Sequence, residues 1–196
     1  TKFTMEPSLY DAVVDTFIDL HDKGLIYRGT RMVNWDPQGK TTLSDEEVIF
    51  AEKQDKLYYI KYKIDGSNEY LNVATARPET IAGDVAVCVH PDDAKYQHLL
   101  GKHIIVPLID RKVPIIADDY IDIEFGTGAL KVTPAHDIND YTIGLKHNLP
   151  VIDTLNEDGT ISEAGILFVG KDRFEARDLW EKELDKQGLL VKVEEY

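Results

Sequence analysis

Closely spaced strand signals fill the middle of this chain and restrict its fold more than any other feature. Short segments rich in Val, Ile, Tyr and Phe alternate with Gly, Pro, Asp or Asn. β-Branched and aromatic residues favour strands, whereas the intervening residues favour tight turns. Many short strands at this spacing are typical of a barrel or a sandwich. Strands are predicted at residues 57–64, 69–76, 85–90, 103–109, 113–117, 120–125 and 129–133.

Helices are predicted at both ends of the chain. Apolar residues recur at helical spacing from Leu9 to Leu20, with Thr4 as a suitable N-terminal cap. A last helix is predicted to begin at Asp172 and to stop at Gly188. Each end is a helix followed by a short strand outside the β-rich block, as expected for the stems of a module inserted into a larger protein.

We therefore expect a single domain over residues 1–196, with a mixed α+β fold that is mainly β. A length of 196 residues suits one main body. Stem-like ends are assigned to residues 1–55 and 165–196, and the β-rich core with the candidate site to residues 56–164.

Composition and charge exclude several classes of protein. Hydrophobic residues at 43% and charged residues at 30% are ordinary for a soluble globular protein, and no apolar run approaches the ~18 residues of a membrane span. The single cysteine, Cys88, excludes an internal disulfide and a Cys-rich zinc site, and it fits a cytoplasmic protein. A net charge of −14 repels polyanions at long range, so a nucleic acid would have to be held by a few local bases or by other parts of a larger protein.

The first chemical motif is VATARPETIAGD, residues 73–84. A predicted strand ends here in a loop that holds Thr75, Arg77, Glu79 and Thr80. Hydroxyl groups beside a guanidinium can bind a carbonyl or phosphate oxygen. Taken alone, the spacing favours a simpler explanation, in which Arg77 and Glu79 form a surface ion pair in an ordinary loop.

The second motif is GTGALKVTPAHDINDY, residues 126–141. Lys131 and Thr133 share one side of a predicted strand, and Asp137 and Asp140 begin the next helix. Together they could form a cup with one cation and two anions. An Asp at a helix N-terminus ionises easily, so it suits a substrate ammonium better than proton donation. Taken alone, the stretch favours a capping box paired with Lys131.

His136 beside Asp137 raises two other possibilities, a metal site and a catalytic base. No second histidine lies at a ligand-like spacing, and packing or hydrogen bonding is the usual role of a lone histidine. The serines at positions 8, 44, 67 and 162 lie in no nucleophile-elbow pattern, so a Ser-His-Asp hydrolase is poorly supported.

Taken together, the two motifs resemble the editing insertion, connective polypeptide 1, of the valyl-tRNA synthetase family. The matching segments are ATARPETIAGDVAVCVHP and IIADDYIDIEFGTGALKVTPAHDINDY. The resemblance extends in order over nearly the whole chain, through MVNWDP, TTLSDEEV, GLKHNLPVI, NEDG and DRFEARDLW. Glu79 and the HDIND form favour the valine enzyme over the leucine and isoleucine enzymes, which remain alternatives.

The resemblance implies a twisted β-barrel with helical excursions and helical stems, which hydrolyses threonine wrongly attached to the valine tRNA. A hydrophobic valine pocket rejects threonine only about 10²-fold, a figure established for valyl enzymes themselves, so a second pocket that requires a hydroxyl improves accuracy. The implied partner is the 3′ end of tRNA(Val) carrying threonine, with threonyl-adenylate as a further candidate substrate. A monomer without membrane contact is expected.

The resemblance also assigns roles to single residues. Asp140 matches the acid that holds the substrate α-ammonium, and Phe125 matches a wall of the amino-acid pocket. The nucleophile is a water molecule that the site orients. The expected catalytic residues are Asp140, Lys131, Thr75 and Arg77, and the expected substrate-binding residues are Asp137, Thr133, Phe125, Glu79, Thr80 and His136.

Two departures from the family pattern matter. Ala76 replaces a threonine of the family's loop, and the position is explained most simply if its side chain faces the core. Asp36 and Gly39 occupy a span where some relatives have a cysteine pair, so no metal is predicted. No cofactor is expected either, because ATP and Mg²⁺ belong to the full-length enzyme, and no HIGH-like or KMSKS-like signature for amino-acid activation is present.

Two further hypotheses stay open at this point. One is a binding module that holds a threonyl or aminoacyl-adenosine ligand without turnover. The other is a metal hydrolase built on His136, Asp137 and Asp140.

Overall fold

The computed structural model describes residue 3, residues 5–52 and residues 54–196. The chain divides into two compact units, Thr1–Arg31 and Met32–Tyr196. The first unit contains helix α1, Pro7–Asp22, and none of the residues of this helix is buried. Pro7 lies in the first turn, where its missing N–H has no intrahelical partner to lose. Thr4, the predicted cap, lies outside the described residues, and the N-cap position is occupied by Glu6.

The second unit is built mainly from short strands. Two of them, β1 and β2, form a separate antiparallel ribbon. The other seven form one sheet. Two helices follow the strands that carry the site. The bounds are β1 Asn34–Asp36, β2 Thr41–Leu43, β3 Lys56–Ile64, β4 Tyr70–Thr75, β5 Ala86–Val89, β6 His103–Ile105, β7 Lys112–Ala117, β8 Ala129–Val132, α2 Ile138–Lys146, α3 Arg173–Lys186 and β9 Leu190–Glu195, with 3-10 turns at Asp45–Glu47, Pro78–Gly83, Gln97–Leu99 and Glu163–Gly165.

The seven-stranded sheet curls into a nearly closed barrel. Its strand order is β4-β3-β6-β7-β5-β8, with β9 also paired to β3. The pairs are antiparallel except β5 with β7. The two ends of this order, β4 and β8, lie in contact, which nearly closes the sheet on itself. The predicted mainly β, barrel-type fold is therefore confirmed.

Alternation along the strands places the core inside the barrel. On β3, Tyr58, Ile60, Tyr62 and Ile64 are buried, and the residues between them are more exposed. This is the period of two expected for a strand with one face toward the core. The main cluster also receives Trp180 and Leu184 from α3, and a second cluster of Ala86, Cys88, Ile121, Val132 and Ile143 lies between β5, β8 and α2.

The C-terminal segment differs from the expectation that its strand lies outside the β-rich block. β9 pairs with Lys56–Ile60 of β3, while β6 pairs with Lys63–Ile64 farther along the same edge. β3 is nine residues long, so one edge accommodates two partners. Residues 165–196 therefore share a unit with the barrel.

The predicted strand at residues 120–125 is not formed. The Asp118 carboxylate accepts the N–H of Tyr120, and the Asp122 carboxylate accepts the N–H of Glu124. Aspartates that bond to the backbone two residues ahead compete with strand pairing and favour turns. The segment is a loop, and it forms one wall of the cavity described next.

Candidate functional site

A cavity of about 490 Å³ opens where β4, β8 and the start of α2 meet. Because β4 contacts β8, and α2 follows β8 directly, the two sequence motifs come together at one end of the barrel. Ala76, which stands where the family's loop has a threonine, is half-buried and is among the residues that line this cavity. The sequence-predicted residues that line the cavity are Thr75, Arg77, Thr80, Phe125, Lys131, Thr133, His136, Asp137 and Asp140, and they are joined there by Tyr120, Asp122, Asn139 and Tyr196, among others.

Lys131 is the buried cation of the site, with 5% of its surface exposed. Its ammonium donates to the hydroxyl oxygens of Thr80 at 2.9 Å and Thr133 at 2.6 Å, and to Oδ1 of Asp84 at 3.0 Å. Lys131 therefore does not form the predicted ion pair with the acids at the start of α2. Its ionic partner is Asp84.

Asp84 is the main residue that the sequence analysis missed. It is fully buried, and its carboxylate also accepts the hydroxyl hydrogens of Thr133 at 2.7 Å and Tyr62 at 2.7 Å. Gly83 lets this segment approach β8, because a Cβ there would lie 2.9 Å from Cγ2 of Thr133. Arg111 holds the segment from the other side by donating to the carbonyls of Ala82 and Asp84, both at 2.6 Å. The available signal was an acid directly after the glycine of the TIAGD motif.

The two acids at the start of α2 have different roles. Asp137 is exposed and caps the helix, because its carboxylate accepts the N–H groups of Asn139 and Asp140 at 2.8 and 3.1 Å. Asp140 is buried, and its Oδ2 accepts the N–H of Thr133 at 2.8 Å. Burial raises the pKa of Asp140 to about 6, although the Lys131 charge and the Thr133 N–H act in the opposite direction. Asp140 is thus ionised at neutral pH.

His136 has a neutral, fixed imidazole. Its Nε2 accepts the N–H of Thr154 at 3.1 Å and lies 2.8 Å from the Thr154 hydroxyl. Since a backbone amide donates to Nε2, the neutral ring carries its hydrogen on Nδ1. Burial lowers the pKa of His136 to about 4, so the ring bears no charge at neutral pH.

The threonine-containing turn presents donors of two kinds to the cavity. The Thr75 hydroxyl accepts the N–H of Arg77 at 3.1 Å, which leaves its own hydrogen free to bind a ligand. The Arg77 guanidinium donates through Nη1 to the His136 carbonyl at 2.7 Å and keeps 43% of its side chain exposed. The Thr80 hydroxyl donates to the Arg77 carbonyl at 2.9 Å and thereby closes the turn.

Glu79 does not line the cavity. Its carboxylate is buried and forms a bidentate pair with Arg177 of α3, with both contacts at 3.0 Å, while Arg77 lies farther away at 3.6 Å. The predicted role of Glu79 as a substrate contact is not supported by its position, and neither is a simple surface pair with Arg77. Glu79 fastens the turn to α3.

The outer wall of the cavity is more apolar. Phe125 and Tyr120, on the loop that replaces the predicted strand, have exposed fractions of 58% and 54%. Aromatic faces of this kind can pack against a ligand's ring or methyl groups. The sulfur of Cys88 is a poor nucleophile, because burial raises the pKa of its thiol to about 12.

Within residues 5–52 and 54–196 and at residue 3, no group of three or more His, Cys, Asp or Glu side chains has an arrangement that could hold a metal ion. In the same part of the chain, none of the helices combines the length and hydrophobicity that crossing a bilayer requires.

Comparison with known proteins identifies the family. A family model described as class I tRNA synthetases (I, L, M and V) matches residues 1–189. The chain belongs to the class I tRNA synthetases. It is 60% identical over all 196 residues to a valine–tRNA ligase of Parabacteroides distasonis, and 52% identical over 195 residues to that of Thermotoga maritima. The resemblance that the motifs indicated is therefore confirmed. The chain spans about 22% of the length of these relatives.

Solved structures of class I synthetases share the fold. A ternary complex of a leucyl-tRNA synthetase of Agrobacterium radiobacter K84 with tRNA and LeuAMS matches with a TM-score of 0.58 and 20% identity, covering 98% of this chain and 32% of that one. The structure of GlLeuRS-CP1 matches with a TM-score of 0.54 and 13% identity, covering 71% of this chain and 98% of that one. The chain thus shares its fold with these two structures.

Proposed function

We propose that this chain hydrolyses threonine esters at the 3′ end of tRNA(Val), with threonyl-adenylate as a second substrate of the same cavity. Support comes mainly from one juxtaposition: the buried carboxylate of Asp140, which accepts the Thr133 N–H, lines the same cavity as the polar network around Lys131. An α-ammonium and a β-hydroxyl are the two polar groups that threonine presents to such a pair. Valine has the ammonium but not the hydroxyl, and would leave buried polar groups unpaired.

The likeness to valine–tRNA ligases supports the choice of tRNA, and so does the leucyl-tRNA synthetase complex that contains tRNA. The chain's own charge of −14 gives little attraction for a phosphate backbone, so we expect only the terminal nucleotide and its ester to enter the cavity. Phe125 and Tyr120 then form the wall beside the terminal adenosine.

The proposed reaction needs positioning and electrostatic stabilisation, without a covalent enzyme intermediate. Asp140 holds the ammonium with help from Asp137 at the cavity rim. The Thr75 hydroxyl hydrogen and the Arg77 guanidinium face the ester carbonyl, where negative charge develops. A water molecule attacks the carbonyl carbon, the bond from that carbon to the ribose oxygen breaks, and a water proton passes to the ribose oxygen with the vicinal ribose hydroxyl as a relay. The backbone carbonyl of His136 accepts a hydrogen bond from the Arg77 guanidinium and so holds that guanidinium in place.

The deciding experiment measures release of amino acid from threonyl-tRNA(Val) and valyl-tRNA(Val) by this chain. Faster hydrolysis of the threonyl ester is expected, and equal or absent hydrolysis of both would refute the proposal. Tight binding of a non-hydrolysable threonyl-adenosine analogue without turnover of the ester would leave a binding module as the better description.

A substitution tests whether Asp140 binds the substrate or only stabilises the start of α2. Asp140→Asn keeps an acceptor for the Thr133 N–H but removes the charge, so we expect kcat/KM for the threonyl ester to fall by about 10²-fold or more. Asp172→Asn is the matched control, because Asp172 caps α3 through the Phe174 N–H and does not line the cavity. The control should hydrolyse the ester at the wild-type rate. Equal losses in the two variants would point to general destabilisation.

A further inference from the structure

Three buried donors converge on one acceptor, the carboxylate of Asp84. Its Oδ1 receives hydrogens from Lys131 and Thr133, and its Oδ2 receives the hydrogen of Tyr62. Asp84 is 0% exposed, and an ionised carboxylate accepts hydrogen bonds without donating any. The direction of each of these hydrogen bonds is therefore fixed.

The hydrogens of this network are all committed within the protein. The Lys131 ammonium has acceptors for each of its three hydrogens, in Thr80, Asp84 and Thr133. The Thr133 hydroxyl gives its hydrogen to Asp84, and the Thr80 hydroxyl gives its hydrogen to the Arg77 carbonyl. Each of these threonine oxygens accepts one bond from Lys131 and keeps one lone pair. Toward a ligand, this wall can accept a hydrogen bond but has no hydrogen left to give.

We propose that Asp84 is a positioning residue that fixes this polarity, so that the site selects substrates whose β-group donates a hydrogen. The inference rests on the proposed function. It adds which part of the threonine side chain the site recognises, namely the hydroxyl hydrogen and not merely the oxygen. Asp84 acts through Lys131 and Thr133. It is not one of the described residues that line the cavity.

A ligand series tests the polarity directly. The probes are non-hydrolysable adenosine amides of threonine, of valine, and of the β-fluoro analogue in which fluorine replaces the hydroxyl. The fluoro compound is similar in size to the threonyl compound but has no hydrogen to donate. We expect it to bind within about threefold of the valyl compound, and the threonyl compound to bind about tenfold or more tightly than either. A fluoro compound that binds as tightly as the threonyl compound would overturn the inference and leave the proposed function standing.

A pair of variants tests the residue. Asp84→Asn removes the one ionised partner that Lys131 has among the described residues, and its amide places an NH₂ group toward a donor in either orientation. We expect the threonyl-to-valyl affinity ratio to fall about tenfold, with the valyl affinity nearly unchanged. Tyr62→Phe removes a bond to the same carboxylate, but from the side away from Lys131 and Thr133, and should keep the wild-type ratio.

The outcomes distinguish the two proposals. An Asp84→Asn protein with the wild-type ratio, or with equal weakening of both ligands, would mean that Asp84 is only structural and would overturn the inference. A wild-type chain that does not prefer the threonyl over the valyl ligand would refute the proposed function, and the inference with it. If Asp84→Asn does not fold, the fluoro comparison in the wild-type chain still decides whether the site recognises the hydroxyl hydrogen.

Discussion

Burial outweighs the helix N-terminus in determining how Asp140 titrates. The position of the residue in the first turn of α2 suggested easy ionisation, since a helix N-terminus favours negative charge. Only 6% of Asp140 is exposed, however, and burial raises its pKa to about 6. Its charge is therefore present at neutral pH but sensitive to mild acid.

This pKa predicts how ligand binding depends on pH. An ionised Asp140 is needed to hold an ammonium, so affinity for the threonyl-adenosine amide should fall as pH drops through about 6, approaching tenfold per pH unit below it. His136 does not account for this step, because its pKa is lowered to about 4. Calorimetric titration between pH 5 and pH 7 measures it, and Asp140→Asn should give weak binding with a flat profile. A step that persists in that variant would assign the titration to another group.

The same pKa predicts a stability trend of opposite sign. An acid whose pKa is raised on folding binds its proton more tightly in the folded protein, so its contribution to stability is largest below the ordinary pKa of about 4 and is lost as pH rises through about 6. Urea unfolding at pH 4 and at pH 7 measures this trend. The free energy of unfolding should decrease less from pH 4 to pH 7 in Asp140→Asn than in the wild type. An identical pH dependence in the two proteins would contradict the raised pKa.

Sequence motifs predicted which side chains gather at the site better than they predicted what each one contacts. Residue type and strand period were sufficient to place Lys131 of β8 and Thr133, directly after β8, on one side of the chain. Asp84 was not singled out and the Glu79–Arg177 pair was not foreseen, because the partners come from distant parts of the chain: Glu79 pairs with Arg177, 98 residues away, and Asp84 with Lys131, 47 residues away. Local spacing carries no information on such pairings.

Arg177 links α3 to the barrel through hydrogen bonds, in addition to the apolar packing of Trp180 and Leu184. Arg177 donates to both oxygens of Glu79 and to Asp55 at 2.9 Å. Replacing Arg177 with Met removes the bidentate partner of the buried Glu79 carboxylate and leaves only the longer Arg77 contact at 3.6 Å, so we expect a loss of about 3 kcal/mol in the free energy of unfolding. Denaturant unfolding measures the loss. Threonyl-ligand affinity should also weaken, because Glu79 belongs to the turn that carries Thr80.

The matched control is the exposed pair Lys171–Glu175 near the start of the same helix, whose side chains are 51% and 53% exposed. Lys171→Met should change the free energy of unfolding by less than about 1 kcal/mol, because exposed pairs contribute little. Similar effects for the two substitutions would show that the Arg177 network contributes little to the attachment.

Strands and helices were predicted where local preference and tertiary context agree. The long β3 and the capped α3 formed as expected, since alternation and capping specify them locally. Residues 120–125 had the composition of a strand, but Asp118 and Asp122 bond to the backbone and hold a loop. The pairing of β9 with β3 was not predictable, because nothing in a single strand specifies which edge it joins.

The candidate site lies within one of the two units of the chain. Every residue that lines the cavity lies within Met32–Tyr196, and the barrel core lies there too. In the other unit, the helix Pro7–Asp22 buries none of its residues, although its sequence has an apolar stripe. The family match covers both units, since it extends over residues 1–189.

Removal of residues 1–31 should therefore leave the site intact. We expect the shortened chain to bind the threonyl-adenosine amide within about twofold of the full chain. Its melting temperature should stay within about 2 °C, because the deletion removes no residue of the barrel core. Calorimetric titration and thermal unfolding of the two chains, at the same pH and salt, make the comparison. A large loss of affinity with an unchanged melting temperature would show that the first unit contributes to ligand binding. A lower melting temperature would show instead that the first unit stabilises the barrel.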